Sequence, residues 1–218
     1  MRAIAKGLAP ASLTTHRMTP HCDYGNYSVA GKQELREALI LEQRGLCCYC
    51  MSRVEPSRDL MKIEHWQCQE NFPHRQLDYS NMLGACLGGK GQPAEKQHCD
   101  TRKGEQNLKF NPAVPTHRIE HRIRYENDGT IASGDVEFNA QLNGVLGLNL
   151  PVLKNRRKAV VDGLSGWLRD YRARNHRRPD VAMLQRMRAR EVPGLGALAP
   201  FGHVATWWLD QRLARLQA

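Results

Sequence analysis

The spacing of apolar residues along this chain changes period several times, which predicts a mixture of helices and strands. From Lys32 to Arg44 apolar residues recur at helical spacing, and Gly45 fits the residue that ends such a helix. Residues 1–30 lack this regularity, because prolines and a glycine interrupt it. We expect them to form an irregular arm that packs across the body of the protein.

The middle of the chain carries two short elements that hold most of the chemically interesting residues. Residues 60–66 (LMKIEHW) are apolar and follow a turn-forming stretch at 55–59, so we expect a strand with Glu64 and His65 at its end. Residues 100–108 are compatible with a helix that carries Asp100 in its first turn and Lys103 in the next.

Beyond Pro112 and Pro115 the pattern changes again. Apolar and charged residues alternate over 119–126, and Asn-Asp-Gly at 127–129 supplies a turn, so a β-hairpin is predicted. Pro151 opens a predicted long helix that runs to about Arg178, followed by two shorter helices at about 180–190 and 201–216. In the last helix we expect Trp208 to face the core.

These elements predict an α+β protein in three segments: an N-terminal arm at 1–31, a core at 32–113, and a hairpin with a basic helical region at 114–218. At 218 residues, with 41% hydrophobic residues and four phenylalanines, the chain can bury only a modest core. We therefore expect a bound metal to contribute to its stability.

The net charge of +10 is concentrated in the C-terminal region, where residues 151–218 hold 14 of the 32 Lys and Arg but 5 of the 22 acids. Clustered cations favour a polyanionic partner such as nucleic acid, because phosphate contacts release counterions. Basic helices also occur as solvated faces in proteins that bind no nucleic acid. Charge alone leaves both interpretations open.

The sequence has no apolar run near the roughly 20 residues that span a bilayer, and its start does not look like a secretory signal. We expect a cytoplasmic protein with no membrane association. Its seven cysteines would then be reduced, and metal binding is a better expectation for them than disulfides.

Four cysteines have a pattern that predicts a structural zinc site. Cys47 and Cys50 form a C-x-x-C pair, and Cys86 and Cys99 can complete a tetrahedral set. Twelve residues separate the second pair, where two to four are usual, so His98 remains an alternative fourth ligand. Cys86 could also be an ordinary buried thiol, or the zinc could only stabilise a binding module.

Several polar residues lie in a suggestive order around this cysteine set: Glu64 and His65, then Asn81, then Asp100 and Lys103. Singly, each has an ordinary structural explanation, such as a histidine within a strand, a helix N-cap or a solvated lysine. The order C-x-x-C, E-H, N-x-L, C, C-D-x-x-K-G resembles the zinc-bearing branch of the HNH endonuclease family.

This resemblance implies a ββα-metal (His-Me finger) core with a zinc site of four cysteines. It implies that His65 is the general base, that Glu64 and Asp100 hold a catalytic Mg²⁺ or Mn²⁺, and that Asn81 fixes the loop and orients the base. The family usually has Asp at the place of Glu64 and His or Asn at the place of Asp100. A carboxylate is nevertheless a sound ligand for either cation.

The same residues make chemical sense without the family. Phosphodiester hydrolysis needs a deprotonated water and a cation on the phosphoryl charge, which His65 and a metal at Glu64 and Asp100 could provide. We expect the nucleic-acid contacts to come from five basic residues: Arg102, Lys103, Arg156, Arg157 and Lys158.

More narrowly, the chain resembles HNH proteins of the Septu anti-phage system and the related retron-associated HNH proteins. The resemblance rests on segments such as EQRGLCCYC, IEHWQC, LDYSNMLGAC and HCDTRKG. It implies a bacterial antiviral effector nuclease, with DNA as the usual substrate, that works with an ABC-type or SMC-like ATPase. The alternative is a catalytically inactive, zinc-stabilised adaptor or nucleic-acid-binding subunit; RNA or tRNA substrates also remain open.

Overall fold

The computed structural model describes residues 1–192, 194 and 196–217, and these form a mixed α+β fold. Residues 193, 195 and 218 of the predicted C-terminal region lie outside this description. The helices are α1 (Ala11–His16), α2 (Val29–Gln43), α3 (Cys99–Lys103), α4 (Ile119–Arg122), α5 (Val136–Gly144), α6 (Pro151–Asn175), α7 (Val181–Glu191) and α8 (Gly202–Gln217). The strands are β1 (Met61–His65), β2 (Met82–Cys86), β3 (Ile123–Tyr125) and β4 (Ile131–Ser133).

Two antiparallel strands and one short helix position the residues of interest. β1 pairs with β2 so that Glu64 lies opposite Leu83 and His65 opposite Met82. Trp66 extends this pairing by donating its backbone N–H to the carbonyl of Asn81. The loop between the strands therefore begins and ends beside His65, and α3 packs against β2.

The described residues pack around two clusters of buried side chains. The larger cluster includes residues of all three predicted segments, for example Met1, Leu83 and Trp208. The smaller one joins α1 and α2 to the loop before β2, through Leu13, Leu35 and other residues. The N-terminal segment therefore packs against the rest of the described chain, but it is not irregular throughout, because it contains the unpredicted helix α1.

Several predicted elements are confirmed with shifted ends. The helix predicted from Lys32 begins earlier, at Val29, because Ser28 accepts a hydrogen bond from the Gly31 N–H and caps it. The strand over 60–66 is confirmed as β1. The predicted long helix is confirmed as α6, which ends at Asn175.

Other elements differ from expectation. The helix predicted over 100–108 is only α3, because Gly104 adopts a positive φ of 53° and ends it. The hairpin starts at Ile123 rather than Ile119, since residues 119–122 form the helical turn α4. Helix α5 was not predicted, although Asp135 caps it by accepting from the Phe138 N–H.

The two C-terminal helices α7 and α8 are confirmed near their predicted positions. Trp208 is 2% exposed and faces the core, as predicted. Within the described residues, no helix has both the length and the apolar content required to cross a membrane.

Candidate functional site

Four cysteine side chains meet at one point, as predicted. The sulfur atoms of Cys47, Cys50, Cys86 and Cys99 all lie within 4.8 Å of one another. Cys47 and Cys99 are 3.8 Å apart, and Cys50 and Cys86 are 3.7 Å apart, measured between their Sγ atoms. A zinc ion with tetrahedral Zn–S bonds of about 2.3 Å requires S–S separations of roughly 3.8 Å. The cluster therefore has the dimensions of a zinc site with four thiolate ligands.

The backbone around the first pair explains how two thiols reach one ion. The Met51 N–H donates to the Cys47 carbonyl, and Met51 takes a positive φ of 68°, so the chain turns tightly between the ligands. The Cys47 N–H donates in turn to the Ser52 carbonyl. The pair is thus fixed at the end of a narrow loop that follows α2.

The structure places Cys99, rather than His98, in the cluster. The His98 Nδ1 lies 3.2 Å from the Cys99 Sγ and 4.0 Å from the Cys86 Sγ, beside the four sulfurs. Burial opposes ionisation of Cys47, yet hydrogen bonds from neighbouring thiols outweigh it and hold the pKa of Cys47 well below its usual value. A thiolate is the form that binds a metal.

Next to this cluster lies a buried carboxylate, Glu64, which is 2% exposed. Its Oε1 accepts a hydrogen bond of 2.6 Å from the Tyr49 hydroxyl and lies 2.9 Å from the Lys103 Nζ. Both partners use Oε1, so the second oxygen is left free of them. Burial, followed by the closeness of Asp100, raises the pKa of Glu64 well above its usual value.

Asp100 comes from the first turn of α3 and lies within hydrogen-bonding reach of Glu64. Its Oδ2 forms an ion pair of 2.5 Å with the Lys62 Nζ. Although burial acts against ionisation, the bonds with Glu64 and Lys62 lower the pKa of Asp100. The pKa values of the two carboxyl groups are therefore shifted in opposite directions, and each group pairs with one lysine, Glu64 with Lys103 and Asp100 with Lys62.

His65 is 5% exposed, and its two ring nitrogens have different partners. Nε2 lies 2.9 Å from the Gln76 carbonyl oxygen, which can only accept, so Nε2 carries the proton. Nδ1 therefore carries the lone pair, which accepts a hydrogen bond of 3.1 Å from the Gln69 side-chain amide. The Tyr24 ring packs edge-on against the imidazole. Burial lowers the pKa of His65, which keeps the ring neutral.

Asn81 holds the loop that carries the partners of His65. Its Oδ1 accepts from the Gln67 N–H at 2.8 Å, and its Nδ2 donates to the carbonyls of Gln67 and Arg75 at 3.0 and 3.2 Å. Gln76, which follows Arg75, is thereby kept in place against the imidazole. The buried amide fixes the loop by using all of its polar atoms.

His65 has its own set of partners in the loop that Asn81 holds. Glu64 and Asp100 form a second group beside the cysteine cluster. Lys103 also belongs to this group, but in a different role from the one expected. Its side chain is fully buried and donates to the His65 carbonyl at 3.2 Å as well as pairing with Glu64. It offers no surface to a phosphate, because β1 and α3 enclose it.

The other basic candidates divide into exposed and buried residues. Arg157 is a correction: it is 2% exposed and donates to the carbonyls of Gly129 and Leu148, so it supports the hairpin instead of facing nucleic acid. Arg102 is half-buried and donates to the Gly144 carbonyl. Arg156 and Lys158 are exposed on α6.

Sequence reasoning missed five residues of this site: Tyr24, Tyr49, Lys62, Gln69 and Gln76. The positions of Tyr49, between two cysteines, and Lys62, two residues before Glu64 on one strand, were available signals. Tyr24 and Gln76 come from irregular segments. No local pattern indicates that they contact His65.

Comparison with known proteins gives one distant similarity. No protein-family model matches the chain. Over 87 residues the chain is 25% identical to a Septu protein, PtuB, of Bacillus thuringiensis. The matched part is 40% of this chain and spans 30% of the length of that relative. The similarity supports a link to Septu proteins and extends to less than half of either chain.

Proposed function

We propose that the protein is a metal-dependent endonuclease of the HNH type, with β1, β2 and α3 as its ββα-metal core. The observation that carries this proposal is the state of His65. Its Nε2 is fixed on the Gln76 carbonyl at 2.9 Å, so the unprotonated Nδ1 is oriented as a proton acceptor, in the residue that directly follows Glu64 on β1. A neutral imidazole with one oriented lone pair is suited to accept a proton from water.

In this proposal each residue has a distinct task. His65 receives the proton of the attacking water at Nδ1, after the Gln69 amide has moved from its position 3.1 Å away. The Gln76 carbonyl stabilises the imidazolium that results, because it keeps its hydrogen bond to Nε2. Asn81 preserves this geometry by holding the loop.

Two different metals fit two donor sets of the chain. The four thiols fit zinc, which would join the loop after α2 to β2 and α3. Glu64 and Asp100 are hard oxygen donors from two elements, a set that suits Mg²⁺ or Mn²⁺ together with water and phosphate oxygens. When bound there, such an ion would polarise the scissile phosphate and stabilise the leaving oxygen.

The remaining parts of the proposal concern partners and biological role. Exposed Arg156 and Lys158 on α6 suit contacts with the phosphates of nucleic acid, DNA in the first instance. The similarity to a Septu protein supports an anti-phage role. We further propose that the protein acts in the bacterial cytoplasm with an ABC-type or SMC-like ATPase as partner.

The test compares cleavage of plasmid DNA and total RNA by the zinc-loaded wild type and three variants. Each protein is incubated in Mg²⁺, Mn²⁺ or EDTA, with and without an ATPase encoded by a neighbouring gene. We expect His65→Ala and Asp100→Asn to lose cleavage while retaining zinc. The matched control is His74→Ala, because His74 is an exposed histidine of the same loop. Cleavage that survives in both His65→Ala and Asp100→Asn would refute the proposed mechanism.

One observation favours a second function, an inactive adaptor that binds nucleic acid. Lys62 and Lys103 already place two ammonium groups at the two carboxyl groups, so this site is neutralised without a metal. An adaptor would bind nucleic acid equally well as wild type and as His65→Ala. It would cleave no substrate under any of the conditions above, with or without the ATPase.

A further inference from the structure

The two lysines at the carboxyl pair differ in one respect that matters for function. Lys103 has a fully buried side chain, whereas the side chain of Lys62 is 32% exposed. Lys103 is fixed by Glu64 and by the His65 carbonyl. Lys62 can therefore leave its carboxylate for solvent or for a ligand, and Lys103 cannot.

Lys62 also lies on the same strand as Glu64 and contacts two residues of α3. It precedes Glu64 by two residues on β1, so both side chains project from the same face of the strand. Its Nζ reaches Asp100 at 2.5 Å and the Thr101 hydroxyl at 3.1 Å. Thr101 donates its own proton to the Leu87 carbonyl at 2.7 Å, so its oxygen is free to accept from Lys62.

A divalent ion at Glu64 and Asp100 and the ammonium of Lys62 compete for the Asp100 carboxylate, whose Oδ2 pairs with Lys62. Two cations in contact within a partly buried site repel each other strongly. Binding of the ion would therefore release Lys62 from Asp100. The released ammonium remains tethered beside Asp100 on a partly exposed side chain, and in this proposal it pairs with a phosphate of the bound strand.

We propose that Lys62 is an exchangeable cation of this site: it neutralises Asp100 in the absence of a divalent ion and contacts a substrate phosphate in its presence. This inference rests on the proposed nuclease function. It assigns substrate binding to a lysine of β1, whereas Lys103 of α3 is structural. It also predicts that metal and nucleic acid bind cooperatively, because the ion frees the phosphate contact.

The first experiment measures metal binding without any cleavage. Free Mn²⁺ is followed by electron paramagnetic resonance during titration of zinc-loaded wild type, Lys62→Met and Lys62→Gln. We expect both variants to bind Mn²⁺ at least about tenfold more tightly, since the competing ammonium is gone. Lys109→Met is the matched control, because Lys109 is a lysine of similar exposure, 36%, in an ion pair elsewhere in the protein. Its Nζ lies 2.7 Å from the Asp135 Oδ2. It should leave the Mn²⁺ affinity unchanged.

The second experiment measures nucleic-acid binding in a His65→Ala background, with a fluorescent DNA duplex and a range of salt concentrations. In Mn²⁺, Lys62→Met should weaken binding and reduce the slope of log K against log salt by about 0.9, the value for one lost phosphate contact. In EDTA the same substitution should change neither quantity, because Asp100 then holds Lys62. Lys109→Met again serves as control.

The outcomes separate this inference from the proposed function. Unchanged or weaker Mn²⁺ binding in both Lys62 variants would overturn the exchange, while cleavage that depends on His65 and Asp100 would leave the nuclease standing. An equal loss of DNA binding in Mn²⁺ and in EDTA would also overturn it, since Lys62 would then be a permanent contact. Mn²⁺ binding that is absent in wild type, or insensitive to Asp100→Asn, would overturn both.

Discussion

The hydroxyl of Tyr49 donates a 2.6 Å hydrogen bond to Oε1 of Glu64 and so joins the cysteine cluster to the carboxyl pair. Tyr49 lies between two cluster cysteines and is fully buried. The loop that would hold zinc therefore also sets the position of the carboxylate that would hold the second metal. Substitutions in the cysteine cluster are therefore expected to affect the carboxyl pair, and substitutions in the carboxyl pair to affect the cysteine cluster.

Tyr49→Phe tests this connection by removing one oxygen atom. We expect the free energy of unfolding to fall by about 1–2 kcal/mol, the usual effect of losing a buried hydrogen bond whose acceptor keeps another donor. Urea denaturation of the zinc-loaded protein measures it. Zinc content should be unchanged, and Tyr171→Phe, at a half-buried position of α6, should have less effect. Equal stability of both variants would contradict the importance of this bond.

The identity of the fourth zinc ligand can be tested with two neighbouring substitutions. We expect one zinc per chain in wild type and in His98→Ala, because His98 lies beside the sulfurs rather than among them. Cys99→Ser should lose most of its zinc, and chelation of wild type should unfold the region, since metal binding and folding are coupled. Metal analysis and circular dichroism report these results. Zinc loss in His98→Ala alone would reverse the assignment.

We expect Asn81→Ala to lower the free energy of unfolding strongly, although it removes only a small side chain. It leaves the Gln67 N–H and the carbonyls of Gln67 and Arg75 without their partner, so we expect a loss of about 2–3 kcal/mol in urea denaturation. Asn71→Ala in the same loop is the control, because Asn71 is exposed and makes one long hydrogen bond of 3.4 Å. It should change stability by less than about 0.5 kcal/mol.

Arg156 and Arg157 are adjacent and should have opposite effects. Arg157→Met should lower stability by about 2–3 kcal/mol, because it leaves buried carbonyls without a charged donor, and should leave DNA affinity unchanged. Arg156→Met should leave stability within about 0.5 kcal/mol and weaken DNA binding at low salt. Denaturation and fluorescence anisotropy separate the two. A DNA-binding defect in Arg157→Met at full stability would show that this residue is available to the ligand.

We expect the free energy of unfolding to depend on pH through His203. Burial, and then nearby cations that include Arg2 and Arg188, lower the pKa of His203 from 6.5 to about 3. Between these values the unfolded chain binds a proton that the folded chain does not. This contribution to stability is therefore complete above pH 6.5 and is lost as pH falls, by at most about 1.4 kcal/mol per pH unit.

His203→Gln should remove that contribution. The difference in unfolding free energy between about pH 7 and about pH 5 should be smaller in the variant than in wild type, as measured in urea with zinc present. Loss of zinc at low pH affects both proteins and cancels in the comparison. His74→Ala, at an exposed position, should retain the wild-type difference. If all three proteins lose stability equally, His203 does not control this range.

Much of the fold could be predicted because the decisive signals are local. In helices α2 and α6, apolar residues recur at helical spacing over a long stretch, and residues that end a helix mark where this spacing stops. The C-x-x-C pair indicates metal binding from a segment of only four residues. The cysteine cluster was predicted for the same reason. The two cysteines far along the chain could be assigned from their residue type alone, because a structural zinc ion accepts few kinds of ligand.

What could not be predicted depends on burial and on distant contacts. Lys103 and Arg157 look like surface cations in sequence, because nothing local shows that β1 or the hairpin will cover them. The contact of Tyr24 with His65 joins residues 41 positions apart and depends on the path of an irregular arm. Such positions follow from the assembled core rather than from periodicity.

The segment between Cys86 and Cys99 has a practical consequence for protein engineering. Its ends are fixed by two cysteines of the cluster and by the bond from the His98 N–H to the Gly88 carbonyl at 2.9 Å. Gly88 has a positive φ, and a side chain there would collide with the His98 carbonyl. Residues 90–96 between these ends are exposed. Doubling the length of a flexible loop costs only about 0.6 kcal/mol in closure entropy. An epitope tag or a dye-labelling sequence inserted here should leave both ligands in place.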